Sequence, residues 1–93
     1  MISLKLNKIR KKLDKLDDNL LLLVKKRTNL VNQVIQTKKY KNQIVDNKRI
    51  NIILKRIKKK SLKMKIDNEI TKRIWKAMIK AFINYEFKNF KRK

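Results

Sequence analysis

A chain of 93 residues that contains no glycine and no proline has given up the residues that make tight turns cheaply. Glycine supplies positive φ and proline pre-sets the corner of a β-turn, so hairpins and meanders are poorly served without them. Helices need neither in their interiors. The absence of both therefore points to an all-α chain of a few helices. With no cysteine there is no disulfide framework and no thiolate chemistry, as suits a reducing compartment. The longest uninterrupted apolar run, Leu20 to Val24, is far shorter than the roughly 18 residues of a membrane span. No apolar signal region precedes it. A soluble, cytoplasmic chain of one domain, residues 1–93, is the expectation.

Charge is the loudest part of the composition: 29 Lys and Arg against 7 Asp and Glu, a formal net charge of +22. Clustered cations bind phosphate by releasing counterions, so a nucleic-acid binder is one reading. That reading needs a basic face. The lysines here are spread over every segment, in a Lys/Ile/Asn-rich style that A+T-biased coding produces. No specific nucleic-acid partner is expected, and a basic helical nucleic-acid binder is kept as the alternative.

From Leu4 to about Lys41 the apolar residues step by threes and fours through Leu13, Leu16, Leu20, Leu23, Leu30 and Val34. This predicts one amphipathic helix of about 38 residues, a rod of roughly 57 Å at 1.5 Å per residue. A second helix is predicted over about 47–59, with Asp46 as its N-cap and Ile50, Ile53, Leu54 and Ile57 as its apolar face. Residues 58–65 interrupt that period and read as a loop. A third helix is predicted over about 67–89, carrying Ile70, Ile74, Trp75, Met78, Ile79 and Phe82, with Phe90 just beyond. Two shorter helices are too short to cover the whole of the first. Its exposed seam predicts a homodimer with paired long helices.

Charges stand where that seam wants apolar residues. Continuing the rhythm from Leu20 and Leu23 lands on Arg27, and the same stripe runs on to Lys38. The two lie 11 residues apart, so at about 100° per residue they are only about 20° out of phase. A seam cation needs a carboxylate partner or an anionic ligand, because burying it unpaired costs several kcal/mol. Glu86 falls on the apolar stripe of the third helix and is a candidate partner for either. Arg10 lies about 100° away from Arg27 around the helix, so it cannot join the same site from the same face. In an antiparallel or crossed dimer it can complete the partner's site. Arg49 opens the second helix three residues after Asp46.

There is no His, no Cys, no Gly-rich phosphate loop and no carboxylate cluster with metal-ligand spacing. General-base, nucleophilic and metal mechanisms lose their usual residues. What remains is a cationic pocket suited to a small polyanion, with planar Arg forks matched to carboxylates.

The joint pattern of Ile9-Arg10, Leu13-Asp14, Leu16-Asp17, Leu20-Leu21, Leu23-Val24, Arg27, Val34, Lys38 and Asp46-Asn47-Lys48-Arg49 resembles the all-α (type II) chorismate mutases over nearly the whole chain. The resemblance implies an intertwined helical homodimer of three-helix subunits that rearranges chorismate to prephenate, on the way to phenylalanine and tyrosine, without a cofactor or metal. By the same resemblance Arg27, and Arg10 from the other subunit, hold the two substrate carboxylates, and Arg49 assists. Lys38 donates to the ether oxygen, and Glu86 stands where the family has Gln, or Glu in some members, as the second donor. Asp46 sits near the substrate hydroxyl. Because only a protonated Glu86 can donate, the resemblance implies activity that falls as pH rises. Two positions depart from the family pattern. Ile50 replaces the Glu that usually grips the hydroxyl, and Phe82 replaces a small residue one turn before Glu86. A helical dimer that keeps the fold without the chemistry is the second alternative.

Overall fold

The computed structural model describes residues 3–91. Three helices account for most of them: α1, Leu4–Thr37; α2, Asn47–Lys63; and α3, Asn68–Asn89. No strand occurs among the described residues. None of their helices is long and apolar enough to cross a membrane. The chain divides into two compact units, Met1–Leu30 and Val31–Lys93.

In the first unit the described residues are the α1 stretch up to Leu30. Ser3 opens it, its Oγ accepting the Leu6 N–H at 3.0 Å. A single helix has no second element to cover its apolar stripe, and Leu13, Leu16, Leu20 and Leu23 are each more than half exposed, at 52%, 58%, 56% and 58%. Arg10 is exposed and Arg27 half-buried.

The second unit holds the end of α1, a 3-10 turn at Lys41–Gln43, and the α2/α3 pair. α1 stops at Thr37, short of the Lys41 expected from its periodicity, because side chains take over the backbone groups there. Thr37 Oγ1 donates to the Val34 carbonyl at 2.7 Å. Gln43 Oε1 then accepts the N–H groups of Lys39 and Tyr40 at 2.7 and 3.0 Å, which holds the chain in the following turn. Ile44 closes that turn and is 2% exposed.

Asp46 caps α2 by accepting the Arg49 N–H at 3.0 Å, as its position before the apolar face predicts. The helix then runs to Lys63, which corrects the loop expected over residues 58–65. The run of lysines that hides the period is its solvent face. Ile57 and Ser61 are its buried face, and Ser61 Oγ makes 2.7 Å bonds to the Ile57 carbonyl and to Thr71 Oγ1 on α3. The turn is confined to residues 64–66. Ile66 N–H bonds to the Ser61 carbonyl and Lys65 N–H to the Leu62 carbonyl, at 2.9 and 3.3 Å, the paired bonds of a Schellman ending. That ending needs a left-handed residue at its centre, and a chain without glycine puts Lys65 there, at φ 56°. Asp67 caps α3 through the Glu69 N–H at 2.9 Å.

α2 and α3 pack through Ile53, Ile57 and Ile79, with Ile50, Leu54, Trp75 and Ile83 around them. The end of α1 meets α3 through side chains. Asn32 Oδ1 accepts from Tyr85 Oη at 2.6 Å, and Phe82 meets the Tyr85 ring edge-on with centroids 6.4 Å apart. Only five hydrophobic side chains among the described residues are buried. That is a small core for a chain of this size.

Candidate active site

One helical turn beyond Phe82, and next to the tyrosine that bonds Asn32, the α3 stripe carries Glu86 into the interior at 8% exposure. Lys38 approaches it from the residue after α1. Its Nζ donates to Glu86 Oε1 at 2.9 Å, with side-chain exposures of 17% and 10%. This is the length of a charge-assisted bond, and removal from water strengthens it. Nζ also donates to the Ile44 carbonyl at 3.3 Å. Two of the three ammonium hydrogens are thus engaged among the described residues. Glu86 Oε2 takes no hydrogen bond among them.

Lys38 lines an open depression of about 480 Å³ together with Thr37, Asn42, Gln43, Val45, Asp46 and Asn47. Its wall is built by the α1 end, the 3-10 turn and the first turn of α2. One Asp46 oxygen is committed to capping α2, and the Arg49 side chain is exposed one turn further along. Of the six residues singled out from sequence, Lys38 and Glu86 are in contact, Asp46 shares the Lys38 depression, and Arg49 is joined to Asp46 through the helix cap. Arg10 and Arg27 belong to the first unit.

Two participants escape sequence reasoning. The Ile44 carbonyl that holds Lys38 is a backbone group, which no residue pattern marks. Asn32 is one of many asparagines, and its bond to Tyr85 depends on how α1 and α3 meet. The two family departures also acquire places. Ile50 is half-buried against the α2/α3 core, so it serves packing. Phe82 is half-buried beside Tyr85.

The arrangement is a cation that lines a polar depression and is paired with a buried carboxylic group. Such a pair can present two hydrogen bonds to one ligand oxygen when the acid is protonated. It offers no activated nucleophile, and no group of His, Cys, Asp and Glu among the described residues has the geometry to hold a metal ion. No curated protein and no solved structure matches this chain. The family model for type II chorismate mutases matches residues 9–87, from just before Arg10 to just after Glu86. The match spans most of the 93 residues, and the chain belongs to the type II chorismate mutase family.

Proposed function

We propose that this protein is an active chorismate mutase, rearranging chorismate to prephenate in aromatic amino-acid biosynthesis in the cytoplasm, as a single domain over residues 1–93. The observation that carries the reading is the contact at 2.9 Å between Glu86 and Lys38, which lines the depression shared with Asp46. The reaction is a unimolecular pericyclic shift. One C–O bond breaks as one C–C bond forms, and the electrons stay within the substrate, so no base, nucleophile or cofactor is required.

Catalysis then consists of holding the reactive conformer and facing positive charge toward the ether oxygen, which gains negative charge in the transition state. Lys38 supplies one donor through its ammonium. Protonated Glu86 supplies the other, releasing Lys38 from their ion pair as the ligand oxygen takes its place. Arg27, with Arg10 of the partner subunit, clamps the two carboxylates through bidentate forks, and Arg49 assists. Asp46 receives the substrate hydroxyl on the oxygen not used for the helix cap. The packing of Ile50 into the core leaves that hydroxyl without the carboxylate other members supply, which weakens substrate binding more than chemistry.

The same reading makes the functional unit an intertwined homodimer. The half-exposed leucines of the first unit form an apolar stripe that a second copy covers, and a small core favours such help.

The test is loss of chorismate absorbance at mildly acidic pH on adding the purified protein, with prephenate identified as product. A folded dimer that leaves chorismate unchanged would assign the fold to another purpose.

A further inference from the structure

The positive charge of this chain is not evenly balanced. Residues 47–66, between Asp46 and Asp67, hold Lys and Arg at 48, 49, 55, 56, 58, 59, 60, 63 and 65 and no acidic residue. Most of that charge faces open solvent on α2, where lysines separate freely and carry no inference. Four lysines, exposed like the rest, differ in what they share. Lys55 and Lys58 of α2 and Lys72 and Lys76 of α3 line one groove of about 290 Å³, with Leu54, Ile57 and Asn68 as its remaining lining.

Each pair is one turn apart on its own helix, so its two side chains share a face. The four lysines thus line one concavity, and no carboxylate among the described residues is paired with any of them. Glu69, the nearest acidic residue of α3 in sequence, pairs with Arg73 at 3.5 Å. Like charges gathered over a partly apolar floor repel one another and raise the local potential, and a compact anion relieves both effects. Lysine is a point-charge donor suited to phosphate oxygens, whereas planar carboxylate recognition favours the arginine fork, which this groove lacks. The groove is lined by α2 and α3 alone and shares no lining residue with the Lys38 depression.

We infer that this α2/α3 groove is a second anion site, for a compact ligand carrying two or more linked phosphates, with Lys55 and Lys58 gripping it from one helix and Lys72 and Lys76 from the other. Leu54 and Ile57 accommodate whatever apolar body the phosphates carry. The site stands independently of the mutase reading and is tested without it.

The probe is inorganic tripolyphosphate, titrated at fixed ionic strength and followed by the fluorescence of Trp75, the chain's single tryptophan, which packs against the α2/α3 core. Saturable binding is expected, and at about five times the dissociation constant Tm rises by about 4–8 °C. Lys58→Gln and Lys76→Gln, on opposite sides of the groove, each weaken binding several-fold, and together by about tenfold or more. Lys60→Gln, on α2 outside the groove, leaves it unchanged. Equal losses in Lys60→Gln, or the same Tm rise from sodium chloride of matched ionic strength, would reduce the effect to general screening and overturn the site. Binding of a thymidine oligonucleotide with the Lys58 and Lys76 dependence, but none of tripolyphosphate, would overturn the compact ligand in favour of a nucleic-acid backbone.

Discussion

Lys38 Nζ and Glu86 Oε1 lie 2.9 Å apart, 48 residues distant in sequence, and each side chain is less than one-fifth exposed. The proposed chemistry needs Glu86 protonated while Lys38 stays cationic. Protonated Glu86 is the low-pH form. Activity is therefore expected to fall as pH rises, and the sign follows from the donor requirement alone.

The replacement Glu86→Gln makes this checkable, because an amide donates at every pH. The variant should show a kcat/KM profile that is flat across the range where the parent declines, with alkaline activity at or above the parent's. Glu86→Ala should lose about 10²–10³ in kcat at mildly acidic pH, the usual cost of one such donor. A parent profile that is itself flat to alkaline pH would remove Glu86 from the donor role.

Arginine at 10 and 27 tests fork against charge. Arg10→Lys and Arg27→Lys keep the cation and lose the paired N–H geometry that matches a carboxylate. Both variants are expected to keep the parent's sedimentation behaviour and Tm while losing most of kcat/KM. Full activity in either would release that residue from the carboxylate clamp.

Leu20 stands in the exposed stripe of α1, at 56% exposure. Leu20→Lys places a charge in the middle of the surface assigned to a second copy. The variant should sediment as a monomer or aggregate, and its Tm should lose the dependence on protein concentration that a dimer shows. Unchanged dimerisation would move the interface elsewhere.

Lys65 tests the local price of a chain without glycine. Its φ of 56° is the left-handed region, where a side chain costs roughly 1–2 kcal/mol relative to glycine. Lys65→Gly should raise Tm by several degrees at constant activity, a gain opposite in sign to most substitutions. A lower Tm would show that the Lys65 side chain contributes contacts larger than the backbone cost.

Periodicity and the missing turn residues were enough to determine three helices and to place Asp46 before the second, because caps and amphipathic faces are local. The same local logic marked Glu86 as a carboxylate on an apolar stripe and Lys38 as a cation on another. Their meeting was not determined locally, since both Arg27 and Lys38 fit the rule that a buried carboxylate needs a cation. Only the packing of the α1 end on α3, held beside them by Asn32 and Tyr85, brings Lys38 to Glu86. The helical state of residues 58–63, where the sequence predicts a loop, has the same origin. A run of lysines carries no period of its own, and its helical state is decided by Ser61 facing Thr71 across the α2/α3 interface. Ile50 likewise reads in sequence as a missing carboxylate and in the structure as a packed side chain. Sequence dictates which faces a helix can bury, and tertiary packing selects which charges and hydroxyls share the space between them.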